Sequence, residues 1–217
     1  MINFSVKAET LGKTFGRRLI FSDLEFEFTG NGIYGISGPN GSGKSTLVKI
    51  IAGLISPTKG TVKHILDKKE IPSEKLHNYI GFVSPYLILY EEFTAWENLN
   101  LFSQIRGISF NNELIEYLLK VFLLYDRKND LVKTYSSGMK QRMKFIFAMM
   151  HSPHLLILDE PTSNLDDEGK DSVYRIIKEQ GIDRIILIAS NDKTDLELCS
   201  EKILLQNYKK MPAQELN

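Results

Sequence analysis

The sequence predicts an α/β fold in which a parallel sheet carries a phosphate-binding loop. Three observations predict it. GPNGSGKST at 38–46 fits G-x-x-x-x-G-K-[S/T], and it lies between the short apolar run GIYGIS at 32–37 and a stretch of helical spacing, TLVKIIAGL at 46–54. LLIL at 155–158 and IILIA at 185–189 are apolar without alternation, as in strands buried on both faces of a parallel sheet. The first of these runs ends in two acids, Asp159 and Glu160, at the strand end where open α/β sheets bind ligands.

Taken in order, the chain opens with alternating patterns. Phe4, Val6 and Ala8 share one face of a first predicted strand, and Leu24, Phe26 and Phe28 share one face of a second. KTFGRR at 13–18 is a polar turn between them and carries Phe15, which either stacks on a base or is an ordinary hairpin-rim aromatic. In the loop that follows, glycines let backbone N–H groups converge on an anion. Lys44 adds a point charge, Ser45 a hydroxyl able to ligate Mg2+, and a helix starting near Gly43 its positive end. Leu47, Ile50, Ile51 and Leu54 form the helix's apolar stripe. SPTKG at 56–60 is a turn, and GTVKHIL at 60–66 and NYIGFVS at 78–84 are strands, the latter ending at Pro85.

The next stretch is aromatic: Tyr86, Tyr90, Phe93 and Trp96 either pack a small helical lobe or form a docking groove. Residues 94–124 have helical spacing, with Thr94 and Glu97 placed as a capping box and Leu114, Ile115, Leu118, Leu119 and Phe122 on one stripe. In KTYSSGMKQRMKFIFAMM at 133–150, Ser136 or Ser137 caps a helix whose inward side carries Met143, Ile146, Phe147 and Met150. Locally this is a plain capped helix, although a serine- and glycine-rich helix start also suits phosphate. After the acidic pair, 166–180 is helical with Val173, Ile176 and Ile177 inward, 184–190 is a strand, 193–200 a short helix, 202–206 a last strand, and 208–217 a frayed tail.

Bulk properties narrow the class. The 217 residues suffice for one large domain or a domain with an inserted lobe. Lys plus Arg equals Asp plus Glu at 27 each, so no nucleic-acid partner is expected. The single cysteine, Cys199, fits a reducing compartment. The N-terminus has no apolar signal region and no apolar run is long enough to span a bilayer, which predicts a cytoplasmic chain. Asp159 is placed to bind Mg2+ beside Ser45, and Glu160 to orient or deprotonate a water attacking the γ-phosphate.

Several motifs agree in order: the phosphate loop, YSSGMKQR at 135–142, LLILDE at 155–160 and SNLD at 163–166. Over nearly its whole length the chain resembles the nucleotide-binding subunit of ABC transporters. YSSGMKQR discriminates, because it is similar to the signature usually written LSGGQ, whereas the loop and the acidic strand are shared with many P-loop ATPases. The resemblance implies a P-loop NTPase (RecA-like) core with an antiparallel β subdomain and an inserted α-helical signature subdomain. The core and β subdomain would occupy about 1–84 and 153–217 of a single domain, and the helical subdomain about 85–152. It implies ATP and Mg2+ as ligands, with Ser45 and Asp159 at the metal and Lys44, Glu160 and Asn191 as catalytic residues. ATP would be held by Gly38, Pro39, Asn40, Gly41, Ser42, Gly43, Lys44, Ser45 and Thr46, with Phe15 stacked on adenine. Asp166 falls in the family's D-loop.

The same resemblance implies a pair of subunits, a homodimer or two matched ATPase chains, sandwiching ATP. Ser136, Ser137, Gly138 and Met139 of one copy would face the phosphates held by the other. An integral-membrane permease, a separate chain, would dock a helix on the segment 82–99, so the protein would lie on the inner face of the membrane. LYEEFTAWENL and SSGMKQR are similar to export-type, ABC-2-like and haem-exporter-like subunits. Three positions depart from the family pattern. Pro85 stands where a glutamine usually touches metal and water, Asn191 where a histidine usually faces the γ-phosphate, and Ser137-Gly138-Met139 where Gly-Gly-Gln is usual. Proline offers no side-chain ligand; asparagine still donates a hydrogen bond but carries no charge. Two other readings compete: a non-hydrolysing ATP sensor, and a soluble ABC ATPase acting on ribosomes or DNA.

Overall fold

A computed structural model describes residues 3–209, and the expectation of a frayed tail lies, apart from Tyr208 and Lys209, outside these residues. Two long strands open the chain, β1 (Phe4–Phe15) and β2 (Arg18–Thr29), joined by a tight turn in which Gly16 has φ 57°. With β4 (Lys59–Leu66) and β5 (Lys69–Glu70) they form an antiparallel sheet of order β2-β1-β4-β5. A second sheet, order β6-β7-β8-β3-β9, is parallel throughout: β6 (Ile80–Val83), β7 (Leu155–Asp159), β8 (Ile185–Ser190), β3 (Gly32–Ser37) and β9 (Glu201–Leu204).

The apolar runs lacking alternation are explained by this sheet, because both faces are covered. Leu156, Leu158, Ile186 and Ile188 join one core with helices α4 (Ser137–Met149) and α5 (Asp167–Gln180). Leu155, Ile157, Ile185, Leu187 and Ala189 join the other, with α1 (Lys44–Ile51) and the antiparallel sheet. Every residue of β7 and β8 is buried. Parallel pairing sets the register that builds the site: Ser37 lies opposite Ser190, and Asp159 opposite Ala189. The ends of β3, β7 and β8 therefore share one edge, and β8 separates the strand of the phosphate loop from the strand of the acids.

Between β6 and β7 lie α2 (Ala95–Arg106), α3 (Asn112–Val121) and α4. The capping box forms as expected: Thr94 Oγ1 accepts the Glu97 N–H, and Glu97 accepts the Thr94 N–H at 2.8 Å. Such a cap contributes about 1 kcal/mol. The helical stretch 94–124 is two helices, because Gly107 (φ 65°) ends α2 and Asn111 caps α3. Ile115, Leu118, Leu119 and Phe122 are buried. Asn98 fixes the aromatic segment ahead of α2: its amide donates to the carbonyls of Tyr90, Phe93 and Thr94 and accepts the Tyr90 N–H.

Three expectations are corrected. The helix after the phosphate loop stops at Ile51, because Gly53 turns left-handed (φ 73°) and Leu54 N–H reaches back to Lys49 O, a Schellman-type stop. Leu54 is therefore off the apolar stripe and 61% exposed. The helix expected at 193–200 is α6 (Lys193–Glu197), because Ser200 N–H is taken by Ile33 O and the chain turns into β9. That last strand ends at Leu204, and a 3-10 turn follows over Leu205–Tyr208 with Leu205 buried.

Candidate nucleotide site

The phosphate loop emerges from β3 as a turn in which Ser42 N–H donates to Pro39 O at 3.0 Å. It closes on Gly43, the residue capping α1 at φ 107°. A Cβ there would come within 2.4 Å of Ile20 Cγ2, so only glycine brings the helix start this close to β2. The loop borders a cavity of about 480 Å3. Its walls are Asn40 to Thr46, Phe15, Arg18 and Ile20 from the first hairpin, Pro85 and Tyr86 from the loop after β6, and Glu160.

Lys44 is buried, and its ammonium donates to Gly38 O at 2.9 Å and lies 3.3 Å from Glu160 Oε1. Ser45 Oγ donates to Asp159 Oδ1 at 3.1 Å. Asp159 is fully buried, and burial raises its pKa, opposed by the Ser45 hydrogen bond. Asp159 Oδ2 and Ser42 Oγ are buried without a hydrogen-bond partner among the described residues. A buried carboxylate oxygen with no donor, beside a hydroxyl, fits a hard divalent cation with oxygen ligands. Among the described residues no group of three or more His, Cys, Asp or Glu could hold a metal by itself, so such an ion would take its remaining ligands from phosphate and water.

Glu160 adopts a left-handed backbone (φ 50°), which its surroundings hold. Its N–H donates to Ala189 O, Ser163 Oγ donates to its carbonyl, and Gln141 of α4 donates to Pro161 O at 3.2 Å. Glu160 Oε2 lies 3.3 Å from Ser190 Oγ. Asn191 reaches the loop directly, donating from Nδ2 to Asn40 Oδ1 at 2.9 Å. Phe15 is 52% exposed at the cavity rim with Lys13 Nζ 4.7 Å from its ring centre. Pro85 lines the cavity, and its carbonyl accepts from Lys144 Nζ of α4 at 2.8 Å.

Ser136, Ser137, Gly138 and Met139 do not line this cavity. Ser136 caps α4 by accepting the Met139 N–H, and Gly138 packs beside Asn164 O, where a Cβ would stand 3.2 Å away. Asp166 caps α5 by accepting the Gly169 N–H at 2.9 Å. The aromatic stretch divides between the two readings. Trp96 packs in the helical region against Phe110, and Tyr86 lines the cavity with Lys49 Nζ 4.6 Å from its ring centre. Tyr90 and Ile88 are exposed beside a groove of about 220 Å3 that Ile105 and Phe102 also line. Sequence reasoning missed Arg18, Ile20, Tyr86 and Gln141 at the site. Only strand pairing and helix packing bring them there; the one local signal was the tyrosine next to Pro85.

The sequence model of the family described as "ABC transporter" matches residues 21–163. The uncharacterized ABC transporter ATP-binding protein YhcH of Bacillus subtilis is 31% identical over 97% of this chain and 70% of its own length. The lantibiotic transport ATP-binding protein SrtF of Streptococcus pyogenes is 34% identical over 88% of this chain and 82% of its own length. Other Bacillus subtilis relatives are longer, the chain spanning 57% of the linearmycin resistance ATP-binding protein LnrL and 65% of YdbJ. A solved putative ABC transporter ATP-binding protein from Pyrococcus furiosus has the same fold, with a TM-score of 0.81, 22% identity, and coverage of 95% of this chain and 100% of that one. The chain belongs to the ABC transporter family of ATP-binding proteins. Its fold is that of the family's P-loop ATPase domain.

If Phe15 stacks on adenine, Phe15→Ala is expected to raise the Kd for ATP about tenfold, the cost of one aromatic–base contact of roughly 1–3 kcal/mol. An unchanged Kd by fluorescent-nucleotide titration would make Phe15 a rim aromatic only.

Proposed function

We propose that this chain is the ATP-hydrolysing subunit of an export-type membrane transporter and works as a pair. One observation carries the reading. Lys44, Ser45 and Glu160 line one cavity, with Asp159 hydrogen-bonded to Ser45, while the capped helix start at Ser136 to Gly138, suited to phosphate, does not line it. A second copy placed head to tail supplies that helix start. The relatives' names support the direction of transport: one is a lantibiotic transport protein and another, from Bradyrhizobium diazoefficiens, a Nod factor export protein. A solved ATP-binding cassette of the same fold is a dimer in a post-hydrolysis state bound to ADP and Pi, with a TM-score of 0.80 and 24% identity over 92% of this chain and 93% of that one.

In this mechanism Lys44 leaves Glu160 for the phosphates, and Glu160 is freed to orient the attacking water and take its proton. Ser45 and Asp159 would hold Mg2+, which would supply charge neutralisation at the phosphates. Asn191, already on the phosphate loop, donates to the γ-phosphate, and Asp166 holds the start of α5 beside the facing copy. Pro85, with no side-chain donor or acceptor, would contribute no ligand to that ion. No helix among the described residues is long and apolar enough to cross a membrane. The partner in this proposal is an integral-membrane permease on a separate chain. The groove beside Ile88, Tyr90 and Ile105 is where a permease helix docks.

Because two copies complete each site, phosphate release per molecule is expected to rise with protein concentration. Turnover per molecule that stays constant over a hundredfold dilution would contradict the shared site.

A further inference from the structure

We propose that Asp195 is a positioning residue for Glu160, acting through the single hydroxyl proton of Ser190. The inference rests on the reading of Glu160 as the hydrolytic carboxylate. Asp195 is 1% exposed. Among the described residues it forms no ion pair; three hydroxyls face its carboxylate instead. Thr162 Oγ1 and Tyr174 OH both donate to Oδ1 at 2.9 Å, and Ser190 Oγ donates to Oδ2 at 2.7 Å. Burial, followed by Asp195 itself, raises the Tyr174 pKa, which keeps that hydroxyl a donor. Ser190 also accepts the Asp192 N–H at 3.0 Å and stands 3.3 Å from Glu160 Oε2.

Proton counting gives the consequence. A serine hydroxyl has one hydrogen and two lone pairs. Two carboxylates, Asp195 at 2.7 Å and Glu160 at 3.3 Å, face the same hydrogen. The shorter contact takes it. Ser190 then presents only a lone pair to Glu160 and cannot hold that carboxylate back from the cavity. When phosphate draws Lys44 away, Glu160 has no competing donor on its other side and faces the nucleotide. Ser190 is no part of the hydrolytic machinery here; it is a potential trap for Glu160 that Asp195 disarms.

Asp195→Asn reverses the arrangement. The two hydroxyls at Oδ1 hold the amide oxygen there, so the amide nitrogen replaces Oδ2 and donates to Ser190. With both lone pairs of Ser190 filled, its proton turns to Glu160 and pulls the carboxylate from the cavity. Steady-state phosphate release with saturating Mg-ATP is measured for the parent chain, Glu160→Gln, Asp195→Asn, Ser190→Ala and the double variant, alongside ATP affinity and melting temperature. Asp195→Asn is expected to lose about 10–100-fold in kcat at unchanged ATP affinity, the scale of a small misplacement of a reacting group. Adding Ser190→Ala is expected to restore it, which repair of a merely structural defect would not do. Asp195→Asn equal to the parent while Glu160→Gln is inactive overturns this inference alone. So does a loss that Ser190→Ala leaves in place. Should Asp195→Asn not fold, Ser190→Ala decides: retained kcat supports the proposal and a tenfold loss overturns it. A parent chain that hydrolyses no ATP, or a Glu160→Gln chain as fast as the parent, overturns the functional reading and this inference with it.

Discussion

Glu160→Gln is expected to bind Mg-ATP at least as tightly as the parent chain and to release phosphate about 10²–10⁴-fold more slowly, the range for loss of a general base. The two effects have one origin. Glu160 is the carboxylate partner of buried Lys44, at 3.3 Å, so it competes with phosphate for that ammonium. Glutamine fills the same volume without the charge, and Lys44 becomes easier to draw away. The backbone around residue 160 is held by Ala189 O, Ser163 Oγ and, one residue on, Gln141, so the left-handed turn survives the change. Single-turnover phosphate release and nucleotide titration on the same preparation separate affinity from chemistry. Equal rates in the two proteins would remove Glu160 as the hydrolytic carboxylate.

Gly138→Asp is expected to leave ATP binding by one copy unchanged and to lower hydrolysis by about 10²–10³-fold, the scale of losing one oriented donor set at a developing charge. Gly138 is the second residue of α4 and lies beside Asn164 O. An aspartate there suits the helix dipole, so α4 is retained. Its carboxylate, however, faces whatever approaches the helix start, and an approaching phosphate is repelled. Since residues 136–139 do not line the cavity of their own chain, the defect shows only where a second copy is needed. Melting temperature and ATP titration establish that the fold and the single-chain site are intact. Full hydrolysis in Gly138→Asp would mean that this helix start never meets phosphate.

Much of this was legible in the residues because it is local. The phosphate loop, the unalternating strands and the Thr94 capping box are patterns within a few residues, and each forms where its pattern lies. Asp159 and Ser45 could be paired in advance because Asp159 ends β7 and Ser45 begins the helix reached from the carboxyl end of β3 on the same sheet edge, and they meet at 3.1 Å. What was missed depends largely on partners distant in sequence, the exception being the local left-handed turn at Gly53. The helix expected to run to Leu54 stops because Gly53 turns left-handed, and the helix after Asn191 stops because Ser200 N–H belongs to Ile33. No local pattern marks Gln141, yet α4 packs it against Pro161. Asp195 sits in the short helix after Asn191 with no local signal. Only the fold gathers Thr162, Tyr174 and Ser190 around it.

On the proposed function, the ATP site is completed by a second copy of the chain. Light scattering on Glu160→Gln, with and without saturating Mg-ATP, tests it most directly, because slow hydrolysis preserves the closed pair. A monomer that becomes a dimer with ATP, and returns to a monomer when Gly138→Asp is added, is the predicted result. A monomer with ATP bound, or a dimer indifferent to both nucleotide and Gly138→Asp, would contradict it.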